Sequence, residues 1–321
     1  MQYFLVSADL DAHMNLARDE FFLNRMRAGD MILYLYVNGN AVIIGRNQNP
    51  YRECNLNQLD ADGVQLVRRV SGGGAVYHDA GNLNFSFICP EALYDEAEQT
   101  GIILNALTRL GIQARVTGRN DIEIEGRKFS GNAFCARGGN RQRHGTLLVN
   151  ANLTVFDRYL NAPKQKLEAK GVKSVKARVC NLTEYCANLS VEKMARALKA
   201  AYDEKYGPSV SPTISAEDEA EIMALYRRHQ SYEWRMGEAP RFDYTFENRF
   251  SFGMTQICVS VQNGAIVRAR VFSDALDVAL PGRIEARMSG VRFAADALSS
   301  ALRAEGDRGN EIARFISTQI P

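Results

Sequence analysis

The chain offers little to a metal or a redox centre. It has four histidines and six cysteines in 321 residues. Cys54, Cys89, Cys135, Cys180, Cys186 and Cys258 form no C-x-x-C pair. Zinc needs thiolates and imidazoles at short, regular spacing, so no zinc site is expected. The scattered cysteines read as reduced thiols that pack as small hydrophobes. No apolar run approaches the roughly 18 residues of a membrane span. The start, Met1-Gln2-Tyr3-Phe4-Leu5-Val6, has neither a basic leader nor a cleavage site, which predicts a cytoplasmic protein. A net charge of +2 gives no reason to expect nucleic acid or a membrane as partner. Two nucleotide fingerprints are missing as well. G-x-x-x-x-G-K-[ST] does not occur, and counting G-x-G-x-x-G from Gly72 puts Tyr77 where the third glycine belongs.

What is present starts with composition. Hydrophobic residues at 46% and charged residues at 24% suit a folded protein, and the length fits two domains, one of them large. The most informative stretch is Arg68-Arg69-Val70-Ser71-Gly72-Gly73-Gly74-Ala75-Val76-Tyr77-His78-Asp79. It reads as a strand that leaves through two arginines into three glycines and returns as a strand. Such a loop can bring backbone N–H groups against a bound anion. On this stretch alone, a flexible turn remains the alternative. About fifty residues on, Arg127-Lys128-Phe129-Ser130-Gly131-Asn132-Ala133 sets one cation beside a second small-residue turn. Together they suggest a site for a phosphorylated or carboxylated small molecule. Two basic clusters, Arg137, Arg141 and Arg143, then residues 164–178, are either solvated loops or anion contacts.

Periodicity outlines the rest. Helical spacing predicts a helix over 15–28 stopped by Gly29, one over 91–110 closed by Gly111, and amphipathic helices over 191–206 and 216–230. Residues 31–37 and 41–45 around Asn38-Gly39-Asn40 read as a hairpin. So do residues 121–129 across Glu125-Gly126, which places Lys128 early on the returning strand. Strands are expected over 64–70 and 83–89, and over 250–261 and 265–272 across Gln262-Asn263-Gly264.

These residues carry a family resemblance. Arg68 to Asn82 matches Arg-Arg-x-Ser-Gly-Gly-Gly-Ala-Val-x-His-Asp-x-Gly-Asn. Gly118-Arg119-Asn120-Asp121, Arg127-Lys128-x-Ser130-Gly131, His144-Gly145-Thr146-Leu147-Leu148 and Lys170-Gly171-Val172-Lys173-Ser174-Val175 follow in the same order. Upstream, Asn15-Leu16-Ala17 and Ile44-Gly45-Arg46-x-Gln48-Asn49-Pro50 also fit, as does Trp234 downstream. The chain closely resembles lipoate–protein ligase A along its whole length. Asp19, Phe134 and Cys180 depart from the residues usual there, which are glutamate, tyrosine and a hydroxyl residue.

The resemblance implies a large α/β domain over 1–243, with mixed β-sheets flanked by helices in a biotin/lipoate ligase-like fold. A small C-terminal α+β domain would follow over 244–321, with residues 241–248 as a candidate hinge. It implies an ATP-dependent ligase that makes lipoyl-AMP and pyrophosphate, then moves the lipoyl group to a lysine ε-amine. ATP with Mg²⁺ and lipoate or octanoate would be the substrates, with no tightly bound prosthetic group. The acceptors would be apo lipoyl domains of 2-oxoacid dehydrogenase E2 subunits and the glycine cleavage H protein, and the enzyme a monomer.

By the same resemblance Lys128 is the catalytic cation between carboxylate and α-phosphate. Arg69, Ser71, Gly72, Gly73, Gly74, Ala75, Val76 and Tyr77 correspond to nucleotide and acyl-adenylate contacts. So do Asn120, Asp121, Lys170, Gly171 and Val172, with Asp121 as candidate Mg²⁺ ligand. His78, Gly131 and His144 fall at the lipoate pocket, and Arg68 either joins the site or pairs with an acid. An ATP-independent lipoyl or octanoyl transferase is the alternative, and a non-catalytic lipoate-binding protein is the third reading. Transferases of this fold use a cysteine thioester, so Cys135 and Cys180 are the thiols to test.

Overall fold

The computed structural model describes residues 1–117, 121–161, 179–236 and 243–320. A mixed seven-stranded sheet runs in the order β1 (Gln2–Val6), β2 (Met31–Val37), β6 (Asn82–Pro90), β10 (Asn140–Leu148), β9 (Arg127–Arg137), β8 (Asp121–Ile124), β7 (Arg115–Thr117). β1 and β2 are parallel, and the other neighbours antiparallel. A second sheet has the order β4 (Gln65–Arg68), β3 (Ala41–Ile44), β5 (Val76–His78). The third is a meander of β11 (Tyr244–Phe250), β12 (Gly253–Gln262) and β13 (Ala265–Ser273). The helices along the chain are α1 (Ala12–Arg25), α2 (Pro50–Glu53), α3 (Leu56–Ala61), α4 (Glu96–Arg109), α5 (Phe156–Tyr159) and α6 (Val191–Tyr206). They continue as α7 (Ala216–Gln230), α8 (Tyr232–Met236), α9 (Leu280–Met288), α10 (Ala295–Leu302) and α11 (Gly306–Ser317).

Alternation along the central strands sends their side chains into two cores. Leu33, Leu35, Phe85 and Phe87 pack with Ile103 and Leu107 of α4 and Leu198 and Tyr202 of α6. On the opposite face Ile32, Tyr34, Tyr36 and Ile88 meet Leu16, Phe22 and Leu23 of α1. The small sheet covers a third core with Leu59 and Tyr159. The C-terminal meander makes its own core with Ile284, Leu298 and Ile312.

Local signals held where local chemistry decides. α6 and α7 have the expected bounds, and Glu125 and Gly126 turn the β8–β9 hairpin with φ of 52° and 78°. Four expectations need correction. The first helix runs three residues earlier, because the Asp11 side chain caps His13 N–H and Met26 leaves helical geometry. The helix expected over 91–110 begins at Glu96, where Asp95 caps it. Residues 31–44 are no hairpin: β2 lies between β1 and β6, while β3 lies between β4 and β5. Asn38 at the crossover is buried and bonded to Asn15 and His78, so the Asn-Gly turn passes the chain from one sheet to another. Tyr244–Phe250 is a strand that the pattern did not reveal. It pairs with β12 over its length, so bending there would break the ladder, and residues 241–242 of the candidate hinge lie outside the described residues.

The arginines of residues 137–143 are all engaged within the protein, Arg143 buried and Arg137 and Arg141 partly exposed to solvent. Arg137 pairs with Glu20, Arg141 with Glu91, and Arg143 donates to Glu96 O and Thr100 Oγ1. Glu20 on α1 is buried and also bonds His229 at 2.9 Å and Arg228. Burial alone would raise its carboxyl, but His229, Arg228 and Arg137 outweigh burial and hold it at about 2. A depressed folded value contributes stability above the unfolded value of 4.5, which is lost as pH falls toward 2. A shift of this size corresponds to about 3 kcal/mol. Glu20→Gln is therefore expected to unfold earlier in urea at neutral pH, with the gap to the parent closing between these values. A gap constant with pH would assign the loss to packing instead.

Candidate functional site

The site forms on the α1 face of the large sheet, where the buried row is polar. Asn84 and Ser86 of β6 stand opposite Thr146 and His144 of β10. The glycine loop closes over this row from the end of β4, and Ser71 Oγ meets His144 Nε2 at 2.6 Å.

Two buried arginines hold the loop. Arg69 donates through Nε and Nη2 to Gly72 O, through Nη2 to Gly74 O, through Nη1 to Ile43 O, and through Nε to Ser71 Oγ. Arg68 donates to the carbonyls of Gly45, Arg46, Gln48, Trp234 and Arg235. No acid pairs with Arg68 among the described residues, so that part of the sequence reading is corrected. Burial pulls both guanidinium groups down to about 10. Both are thus engaged by loop backbone rather than standing open to an anion, and Arg69 acts on a ligand through the loop it shapes.

Two of the three glycines have separate physical reasons. Gly73 takes φ +94°, a left-handed conformation that side chains disfavour. A Cβ at Gly72 would overlap the carbonyl oxygen of Ala275, because the turn after β13 sits directly against the loop. The C-terminal segment is further tied here by Ser273 N–H to Asn47 O at 2.9 Å and Asn47 Nδ2 to Val278 O at 2.8 Å. Among the described residues, no acceptor meets the N–H groups of Gly72, Gly73 and Gly74. The Tyr77 side chain turns away, stacked on Tyr159 at 5.3 Å with its hydroxyl on Asn40. Only its backbone can serve a ligand at the loop.

Lys128 owes its aim to a β-bulge. Ile122 pairs with Ser130 but Glu123 pairs with Lys128, so β9 holds one extra residue, Phe129. In a regular strand residues three apart point to opposite faces, whereas the extra residue puts Lys128 and Gly131 on the same one. A Cβ at Gly131 would lie 3.1 Å from Lys128 Nζ, so this glycine leaves room for the ammonium. Gly131 and Ala133 share a face of β9, and Ala133 pairs with His144. Lys128, Gly131, His144 and the glycine loop therefore gather on one side of the sheet.

His78 lies deeper. Its Nδ1 meets Asn38 Nδ2 at 3.1 Å, so the ring accepts there and carries its hydrogen on Nε2, which has no partner among the described residues. Burial, with Arg69 and His144 nearby, lowers its pKa to about 3, so the ring is neutral. Asp121 enters β8 opposite Gly131. Asn120, Lys170, Gly171 and Val172 lie outside the described residues. Ala75 and Val76 are half-buried at the loop's return.

The two thiols are placed as packing residues. Cys180 follows the bridge between Val179 and Lys128, yet its side chain lies in the core with α4 and α6, where Sγ contacts Arg127 O at 3.5 Å. Cys135 belongs to the α1 core, and burial raises both thiols. A thioester route would need an exposed thiolate. Cys180→Ala is expected to keep wild-type activity, and loss of activity with the fold intact would reinstate the thioester route. Ala275, against Gly72, has no local sequence signal that could have marked it, and Asp19, visible in the sequence only as a departure from glutamate, stands behind His144.

Among the described residues no helix is long and apolar enough to cross a membrane. The family model described as Lipoyl protein ligase A/B catalytic domain matches residues 11–203, and Bacterial lipoate protein ligase C-terminus matches residues 239–317. LipL1 of P. falciparum, crystallised in complex with lipoate, is 28% identical, with a TM-score of 0.86 over 99% of this chain and 100% of its own. A lipoate-protein ligase A bound with ATP is 28% identical, with a TM-score of 0.64 over 74% of this chain and 98% of its own. A bi-partite lipoate protein ligase from Thermoplasma acidophilum, analysed with its E2 lipoyl domain, is 29% identical, with a TM-score of 0.66 over 76% and 98%. The expected biotin/lipoate ligase-like fold is thus the one present, large mixed sheet and smaller C-terminal unit included. Because the catalytic-domain match alone spans more than half of the residues, the chain belongs to the lipoyl protein ligase A/B family.

Proposed function

We propose that this enzyme is an ATP-dependent lipoate–protein ligase. Family membership already makes it a ligase or transferase of lipoyl groups. The observation that carries the ATP-using reading is the bulge at Phe129. It lays the Lys128 ammonium over Gly131, on the sheet face where the Gly72, Gly73 and Gly74 amides meet no acceptor among the described residues.

The chemistry requires such a pairing. A carboxylate is a poor acyl donor because its leaving group would be oxide. Lipoate oxygen therefore attacks the α-phosphorus of ATP, pyrophosphate leaves, and a mixed anhydride forms. Two anions must approach one another, and charge grows at phosphorus in the transition state. Lys128 supplies a compact point charge between them, and the loop amides cradle the phosphate oxygens. The acceptor lysine then attacks the acyl carbonyl and AMP departs.

The remaining assignments belong to the same reading. Ser71, Ala75, Val76, Tyr77, Asn120, Asp121, Lys170, Gly171 and Val172 would contribute to the nucleotide or adenylate, and His78, Gly131 and His144 to the lipoyl chain. Among the described residues no group of three or more His, Cys, Asp or Glu gathers to hold a metal. Mg²⁺ would instead arrive on the ATP phosphates, with Asp121 supplying the hard oxygen it prefers. Lipoate or octanoate is the acyl substrate. Lipoyl domains of E2 subunits and the glycine cleavage H protein are the acceptors, served by a cytoplasmic monomer whose domains divide at 243/244.

The test is lipoate-dependent exchange of labelled pyrophosphate into ATP by the purified chain with Mg²⁺. Exchange that needs lipoate supports the reading. No exchange, with transfer from preformed lipoyl-AMP to an apo lipoyl domain intact, would make the protein a transferase.

A further inference from the structure

Behind the glycine loop lies a line of three polar side chains that adenylation does not require. Ser71 Oγ and His144 Nε2 are 2.6 Å apart, and His144 Nδ1 lies 3.5 Å from Asp19 Oδ2. All three side chains are buried. Arg69 Nε donates to Ser71 Oγ at 3.2 Å, which leaves the hydroxyl proton available to His144 Nε2. In the tautomer that accepts it, the imidazole carries its hydrogen on Nδ1, toward Asp19.

Among the described residues, the titratable groups around this line are Asp19 of α1, Tyr34 and Tyr36 of β2, Arg69 after β4, His78 of β5 and the Cys135 thiol of β9. Burial, with Asp19 beside it, keeps the Tyr36 hydroxyl protonated, and His78 is neutral. Among the described residues Asp19 is the carboxylate beside His144, and its Oδ1 has no partner there. A positive imidazole would meet a carboxylate with acceptor capacity to spare.

Serine, histidine and aspartate in this order move a proton off an attacking nucleophile in hydrolytic triads. Ser71 is poorly placed to be the nucleophile itself, since Arg69 occupies one of its lone pairs. The second lone pair remains for a donor arriving at the loop. We propose that Ser71, His144 and Asp19 form the proton path of the transfer step, with Asp19 as its positioning residue. The proposal rests on the acyl-adenylate reading above.

In that step the lysine nitrogen bonds to the lipoyl carbonyl carbon. The bond from this carbon to the AMP oxygen breaks, and AMP leaves with the electron pair. One amine proton passes to Ser71 Oγ while the serine proton moves to His144 Nε2. The imidazolium formed is held by Asp19.

The experiment compares the full chain with Asp19→Asn and Asp19→Glu in two assays. One is lipoate-dependent pyrophosphate exchange. The other is single-turnover transfer from preformed lipoyl-AMP to an apo lipoyl domain, from about pH 6 to about pH 9, the range a histidine base commands. Asp19→Asn is expected to exchange within about twofold of the parent but to transfer at least about tenfold more slowly near neutral pH. The defect narrows as pH rises and solvent takes over the proton, and Asp19→Glu recovers transfer. Wild-type transfer in Asp19→Asn overturns the path. So does an equal loss in both assays with an unchanged pH profile, which is the mark of a merely structural residue. A parent that transfers from lipoyl-AMP but does not exchange would defeat the ATP reading alone, and the transfer arm would still decide the proton path.

Discussion

Lys128→Ala is expected to lose lipoate-dependent pyrophosphate exchange by about 10²–10³-fold, the size of removing one preorganised charge-stabilising group from an active site. Its folded state should be unchanged. Lys128 is half-buried, and its backbone ties β9 to its neighbours. Cys180 N–H donates to Lys128 O at 3.0 Å, and Glu123 pairs with Lys128 across the hairpin. Alanine preserves both. Lys128→Arg should fare little better, because a planar fork cannot replace a point charge standing over Gly131. Urea unfolding and exchange, measured on the same preparations, separate chemistry from folding. Unimpaired exchange in Lys128→Ala would reject the assignment.

Arg69→Met should fail on both counts. The substitution removes a buried cation whose donors satisfy Gly72 O, Gly74 O and Ile43 O. Buried carbonyls left without partners cost about 1–3 kcal/mol each, so the expected loss is about 3–5 kcal/mol overall. The loop would lose the fork that shapes it, and exchange would fall with stability. Arg69→Lys keeps the charge but reaches fewer of these acceptors, and should fall between the two. The check is the urea midpoint at constant m-value. Parent stability in Arg69→Met would mean that the loop holds its shape without the guanidinium.

The pair distinguishes two kinds of residue that the sequence presents alike, as a basic side chain beside glycines. Lys128 projects over a space that a glycine keeps clear. Arg69 is enclosed by the loop it follows, and the sequence reading, which matched it to nucleotide contacts, could not see that its donors are already engaged. Arg68 shows the same limit: an acid was one expected partner, and backbone carbonyls from two distant segments took its place.

By itself the sequence determined whatever depends on neighbours along the chain. The strand–glycine–strand character of residues 68–79, the turn at Glu125-Gly126 and the bounds of α6 and α7 all follow from local backbone preference and periodicity. The ordered motifs determined the family, and with it the fold. Tertiary structure alone decided the rest. It divided residues 31–44 between two sheets, because β1 and β6 flank β2 and leave β3 to pair elsewhere. It inserted the bulge that aims Lys128, which depends on the register with β8 rather than on any residue in β9. It set Ala275 against Gly72 and brought Asp19 behind His144, contacts between residues about two hundred and about one hundred and twenty-five positions apart. Such approaches arise when separate elements bury their apolar faces together, and no spacing within one segment encodes them.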